Sequence, residues 1–273
     1  MDVSHSRALP PDAATLSADA LPVSLATLRA RVAAHPALGA RILFDADGQA
    51  RARHRDARLG SGFSCVSDVA DPAAPRVFAR RAVLQVRDAA GLPLPAEEFF
   101  NTLDSDGDLI DADRLSRSVH VLNFLAQATQ GLLFLPVQPR LLKSIRYDHG
   151  RYFADLLLSL GVNPASVVIE IPAVAAAHRT FLAYLVDSYR RHGFKVAAHL
   201  ASAATILAVQ TGRTPHFVMV DARQALRDAM VAPLLAYAAH HGVCPIFKCV
   251  DGSAALGLLR QHGVRFIDAG DAV

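Results

Sequence analysis

The sequence predicts an α/β fold, a TIM-like (β/α) barrel with its helices outside, and three observations carry that prediction. From Phe63 onward, short apolar runs alternate with stretches of helical period, the pattern of a parallel sheet with crossover helices. The apolar runs are nearly continuous in Val, Ile, Leu and Phe, as strands covered on both faces require. His192-Gly193, His241-Gly242 and His262-Gly263 each follow a helical stretch and precede a strand. Glycine there suits the left-handed exit from a helix, and histidine suits the negative end of its dipole. These histidines read as caps rather than ligands.

A chain of 273 residues, 52% hydrophobic, can bury one substantial core. Residues 1–22 are rich in Ala, Pro, Asp and Ser without sustained periodicity, and read as a mobile leader. Residues 23–60 read as a small accessory unit: Leu25, Leu28, Val32 and Leu38 recur near helical spacing, and Ile42-Leu43-Phe44 enters a hairpin at Asp45-Ala46-Asp47-Gly48. Arg51, Arg53, His54, Arg55 and Arg58 form a basic run there, either a solvated strand face or a site for an acidic partner.

Residues 61–273 hold the barrel. Strands are expected at Leu132–Leu135, Val167–Ile171, Lys195–Ala198, Phe217–Val220, Pro245–Phe247 and Arg265–Ile267. Helices are expected at Asp111–Thr129, Arg151–Leu160, Val174–His192, Ser202–Thr211, Ala225–His241 and Ser253–His262.

Composition excludes several classes. With 28 Lys and Arg against 25 Asp and Glu, the net charge is +3, short of the clustered excess that binding a nucleic acid polymer needs. Absent tryptophan also argues against a base-stacking platform. Cys65, Cys244 and Cys249 are too few and scattered for a disulfide framework or a four-cysteine zinc site. No run approaches the roughly 18 apolar residues of a membrane span, and no secretory signal is visible, so a cytoplasmic protein is expected.

Several segments resemble one bacterial family. Phe63-Ser64-Cys65-Val66-Ser67-Asp68 is similar to an aromatic-Gln-Pro-Ile-Val-Asp strand, Arg81-Ala82-Val83-Leu84-Gln85-Val86 to a Glu-Ala-Leu-Leu-Arg-Trp signature, and Gly91 to Phe99 to a Gly-x-x-x-Pro-x-Glu-Phe helix entry. Val168 to Ile171, Gly193 to Ala197, Phe217 to Asp221 and Gly242 to Phe247 follow in the expected order. Together they resemble a degenerate EAL domain, the cyclic di-GMP phosphodiesterase family. The resemblance implies a barrel of EAL type with a small N-terminal extension, and a mouth where carboxylates, an amide and a lysine hold Mg or Mn for phosphodiester hydrolysis.

Laid on that pattern, the chain has lost most of the expected ligands. Arg81 stands at the signature Glu, Pro136 at the Asn of Val-Asn-Leu, and Ala173 at the second Glu of Glu-x-Thr-Glu, whose first Glu is retained as Glu170. His199 and Leu200 replace the paired aspartates of Asp-Asp-Phe-Gly. Met219 replaces the lysine of Lys-Ile-Asp, whose aspartate is retained as Asp221, and Lys248 replaces the Glu of Ala-Glu-Gly-Val-Glu. Two nucleotide contacts become Ser64 and Gln85. An alternative register lays Ala50 to Leu59 on the signature with His54 at the Glu, which also leaves no acid there. Arg81 or Lys248 is expected to pair with Glu170 or Asp221 in the space of the metal.

These substitutions imply a catalytically inactive domain without a metal cofactor. It would regulate through an unidentified protein partner or as a homodimer, and cyclic di-GMP is not expected to bind. One alternative is a metal-free receptor for cyclic di-GMP or another phosphorylated ligand, using Arg81, Arg140 and Lys248. A second is a remodelled metal-dependent phosphodiesterase with Glu170, His199 and Asp221 as ligands.

Overall fold

The computed structural model describes residues 24–127, 131–144, 150–209, 213–250 and 252–270. The leader expected at 1–22 lies outside them, as do the expected helix ends at Thr129 and Thr211. The chain opens with α1 (Leu25–Ala34), capped by Ser24, whose hydroxyl accepts from Thr27 N. Next come β1 (Ile42–Phe44), β2 (Ala50–His54), β3 (Ala57–Asp68), β4 (Arg76–Arg87), β5 (Pro93–Leu94), α2 (Ala96–Asn101) and α3 (Asp106–Ala126). From there strands and helices alternate: β6 (Leu132–Pro136), α4 (Pro139–Ser144), α5 (Arg151–Ser159), β7 (Val167–Ile171), α6 (Ala173–Ala176), α7 (Arg179–Arg191) and β8 (Lys195–His199). A 3-10 turn at Ala203–Ala208 leads to β9 (Phe217–Asp221), α8 (Ala222–Arg227), α9 (Val231–His240), β10 (Cys244–Lys248), α10 (Gly252–Gln261) and β11 (Phe266–Asp268).

Eight strands close a ring in the order β3-β11-β10-β9-β8-β7-β6-β4, with β4 returning to β3. Only β3 runs antiparallel to its ring neighbours; the other ring pairings are parallel. The expected α/β barrel is therefore the observed fold. Among the described residues, no helix is long and apolar enough to cross a membrane.

The period-2 alternation of each strand divides the core in two. Inside the ring, Val66, Ala79, Phe134, Val168, Ala197, Met219, Ile246 and Phe266 pack together. Residues of opposite parity, such as Leu133, Ile169, Val196, Val220 and Phe247, pack outward under the helices. The strands are apolar throughout because both of their faces are covered.

β3 and β4 are 12 residues each, longer than the ring needs. Their far ends leave the ring, pair with each other, and add β2 and then β1 on one side and β5 on the other. Residues expected as an accessory unit thus continue the barrel's own sheet. The inner face of this extension packs Ala50, Ala52 and Leu59 into the same core as Leu28 and Val32 of α1. Buried Asn123 of α3 ties it down: its Oδ1 accepts from Ala50 N (2.6 Å) and its Nδ2 donates to Ala50 O (3.0 Å).

The helix expected over Ala225–His241 is two helices. Pro233 has no N–H for a bond to the carbonyl of Ala229 and its ring would clash there, so the chain breaks at Ala229, in the left-handed region (φ 52°). The expected helix Val174–His192 also breaks, at His178, where extended backbone (φ −99°, ψ 101°) caps α7. His192 and His241 do end helices, each followed by a glycine at positive φ, as expected.

Candidate functional site

The site follows from strand parity. Each ring strand that places a side chain in the barrel core places its next inward residue, two positions on, at the C-terminal mouth. Phe134, Val168, Ala197, Met219, Ile246 and Phe266 are thus followed by Pro136, Glu170, His199, Asp221, Lys248 and Asp268. On β4, Arg81 follows Ala79. Antiparallel β3 supplies Ser64, the Cα partner of Arg81. Arg81 therefore belongs to the mouth, whereas His54 lies outside the ring on β2, buried at 3% exposure beside Arg41 and Phe99. The alternative register on Ala50–Leu59 is excluded.

A chain of polar contacts crosses this mouth. Arg81 Nε donates to Glu170 Oε1 at 2.8 Å, and Arg81 Nη1 lies 4.0 Å from Asp268 Oδ2. Glu170 Oε2 is 2.8 Å from His199 Nε2, and His199 Nδ1 is 3.0 Å from Lys248 Nζ. The order fixes the donors. An ammonium has no lone pair to offer, so Nδ1 accepts from Lys248 and Nε2–H donates to Glu170. Burial pushes the Glu170 carboxyl up, but the Arg81 charge and the His199 hydrogen bond outweigh it and hold the pKa at about 2.

This arrangement does not fit a divalent metal. Glu170, the carboxylate that the resemblance retains, has one oxygen on a guanidinium and the other on an imidazole N–H. Two cations stand at positions where the resemblance calls for acids. Asp221 serves the local backbone instead, since its Oδ1 accepts from Gln224 N (3.0 Å) and caps α8. The proposed set of Glu170, His199 and Asp221 therefore shares a mouth but not a ligand cluster. Among the described residues no three His, Cys, Asp or Glu side chains converge as a metal site would need.

The other expected positions fall as follows. Pro136 lies at the rim, Met219 is wholly buried in the barrel core, and Leu200, of opposite parity, packs outward at 7% exposure. Arg140, at the start of α4, donates to the carbonyls of Phe100 and Leu103 (both 3.0 Å), tying α4 to the end of α2 rather than facing a ligand beside Arg81 and Lys248. Gln85 is exposed on the sheet extension, beyond the mouth. Buried Ser64 has an unpartnered Oγ next to Arg81.

Asp268 escapes the sequence reading because the last strand is expected to end at Ile267. Extending the Phe266 alternation by one step finds it. The expected salt bridge of Arg81 with Glu170 is present. Lys248, expected to pair with Glu170 or Asp221, instead meets His199: the histidine stands between ammonium and carboxylate and relays the contact.

No protein-family model matches the sequence, and no curated protein is a match. Solved structures do match. One is Klebsiella pneumoniae BlrP1 with FMN and cyclic di-GMP and no metal ions, at TM-score 0.57 and 20% identity over 77% of this chain and 51% of that one. Another is the Bacillus subtilis YkuI protein, with an EAL domain, in complex with cyclic di-GMP and calcium (TM-score 0.60, 17% identity, 77% and 53%). A third is the FimX EAL domain from Pseudomonas aeruginosa bound to cyclic di-GMP (TM-score 0.59, 18% identity, 77% and 87%). The chain spans about half the length of BlrP1 and YkuI. Its barrel has the fold of the EAL domain.

The expectation that cyclic di-GMP is an unlikely partner is overturned by these matches. The FimX EAL domain is bound to the dinucleotide, and BlrP1 is seen with it and with no metal ions. Loss of metal ligands therefore does not by itself imply loss of the dinucleotide.

Proposed function

We propose that this chain is a non-hydrolysing EAL-type domain that acts in cyclic di-GMP signalling by binding rather than by cleavage. The observation that carries the reading is the Arg81–Glu170–His199–Lys248 chain, which fills the mouth with protein cations and leaves Glu170 no free oxygen. Hydrolysis in this family rests on a metal polarising a phosphoryl oxygen and activating water. Here Arg81 neutralises the acid such a metal would use, and Lys248 fixes the imidazole in the tautomer that donates to Glu170. Neither group supplies the metal-bound water that such hydrolysis requires.

A second reading, supported by the metal-free dinucleotide complex of BlrP1, makes the mouth a receptor for cyclic di-GMP. Lys248, with its Nζ on an imidazole rather than a carboxylate, is the cation most readily offered to a phosphate. Regulation through protein contacts is compatible with either reading.

Two assays on the purified protein test both. Incubation with cyclic di-GMP and excess magnesium or manganese is expected to yield no linear product, and metal-dependent linearisation overturns the non-hydrolytic reading. Calorimetry is expected to show binding of equal strength with and without magnesium, weakened by Lys248→Ala. Absence of binding, or binding only with magnesium, overturns the receptor reading.

A further inference from the structure

The basic run of β2 finds its place on the exposed face of the sheet extension, which by strand parity continues, past the rim, the face that bears Arg81 and Ser64 at the mouth. On β2, Ala50, Ala52 and His54 are buried while Arg51 and Arg53 are exposed. Register then stacks the charge: Arg53 is the Cα partner of Arg58 on β3, and Arg58 is the partner of Arg87 on β4. Three arginines stand in one row across three neighbouring strands, an arrangement that like-charge repulsion disfavours. One position along, the Arg51 guanidinium lies over Gly60, where a Cβ would collide with it.

Acids do not compensate the row. Arg51 reaches Asp45 (3.2 Å) and Arg41 reaches Asp111 (2.6 Å). Arg53 and Arg87 donate only to backbone carbonyls, of Arg55 and Gly91, and among the described residues Arg53, Arg58 and Arg87 have no salt bridge. The carboxylates next in sequence to the row, Asp56 and Asp88, sit in the adjoining turns. The row borders a groove of about 750 Å³ whose apolar lining includes Leu43, Pro93 and Pro95. Leu43 is 71% exposed.

We propose that this face docks an acidic, partly apolar polypeptide segment of a partner protein. Charge complementarity selects an anion, since the row is uncompensated. The apolar floor selects a polypeptide: a nucleic acid would present phosphates and bases, and no aromatic side chain lines the groove for a base to stack on. Alternate side chains of an extended segment lie about 7 Å apart, so carboxylates on one edge reach the arginine row while apolar side chains reach Leu43 and the prolines. Arginine flanking an apolar floor is also the composition of protein interfaces. The inference deepens the reading of a binding domain by naming its protein-facing surface, and uses none of the mouth residues.

The test uses the full chain and a fluorescently labelled peptide of alternating Glu and Leu. Wild type is expected to bind it, and the triple variant Arg53→Gln, Arg58→Gln, Arg87→Gln to bind about tenfold more weakly or worse. Because fewer like charges then meet across the strands, Arg58→Glu is expected to melt no lower than wild type while also losing peptide, which keeps the test decisive if the triple variant fails to fold. No binding by wild type, equal binding by both variants, or tighter binding of duplex DNA than of the peptide overturns the proposal. So does self-association of wild type that Arg58→Glu abolishes, which would make the occupant a second copy. Linearisation of cyclic di-GMP would sink the non-hydrolytic reading and leave this one standing.

Discussion

The barrel mouth and the outer face of the sheet extension both hold cations, and they treat them in opposite ways. At the mouth, Arg81 faces a carboxylate that is 2% exposed and held ionised. Desolvation there is costly enough that every charge must have a partner. On the outer face, Arg53, Arg58 and Arg87 stand side by side with no acid among them. Water and salt screen them, so the arrangement costs little. The difference separates structural charge from available charge. Arg81 and Glu170 are committed to each other, and a ligand that used either would have to break a buried pair. The outer row can be used without breaking an ion pair.

The largest effect should therefore come from breaking the mouth. Glu170→Ala removes the acceptor for both Arg81 Nε and His199 Nε2, and deleting one member of a buried pair costs about 3–5 kcal/mol. Urea denaturation of wild type and variant reads that loss directly. Arg81→Ala, which leaves Glu170 its histidine, is expected to lose less, though still more than about 1 kcal/mol. An unchanged midpoint in both variants would mean that the mouth network is ornamental and the contrast with the outer face false.

Only half of that network is legible in the sequence. Glu170, His199, Lys248 and Arg81 can be named because each occupies a strand end, and strand ends are legible from short apolar runs. The Arg81–Glu170 pair is expected as well, but the partner of Lys248 is not, because whether Lys248 reaches a carboxylate or an imidazole depends on distances across the ring between residues 49 positions apart. Arg140 misleads for a related reason: its position after β6 suggests the mouth, while the carbonyls of Phe100 and Leu103 at the end of α2 claim its guanidinium. The break before α9 is legible in Pro233 but is hidden by the continuous apolar character of Val231 to Ala239. Equally, the arginine row cannot be read along the chain, since Arg87 joins Arg53 and Arg58 only through register.

Acid should divide the two regions next. His120 is buried, and burial first, then the Arg117 charge, lowers its pKa from 6.5 to about 3. In His216 burial, then Arg190 and Lys195, lower it to about 4. Glu170 is likewise held below its ordinary value of 4.5, at about 2. All three folded values lie below the unfolded ones, so the unfolded chain binds more protons and stability falls as pH falls. The histidine contribution is present above pH 6.5 and is lost down to about 3, and that of Glu170 is lost between about 4.5 and 2. Each group adds a slope of at most about 1.4 kcal/mol per pH unit. Urea midpoints measured from pH 8 to pH 3 should hold steady and then decline below about 6.5, and His120→Asn should flatten the first part of the decline. A decline that removal of Arg53, Arg58 and Arg87 altered would contradict the assignment.

The smallest effect has the opposite sign, and it is the sharpest check on the comparison. Arg58→Glu places a carboxylate between Arg53 and Arg87, replacing two like-charge neighbours with two opposite ones. Cross-strand pairs of this kind contribute about 0.2–1 kcal/mol each, so the variant should be more stable than wild type by roughly that amount in dilute buffer. Added salt should narrow the gap, because over a Debye length of about 8 Å at physiological ionic strength it weakens repulsion in the wild type and attraction in the variant alike. A surface charge whose reversal stabilises the fold is one that folding did not select. If Arg58→Glu instead destabilises by more than about 1 kcal/mol, the arginine row is part of the scaffold and its charge is no freer than that of the mouth.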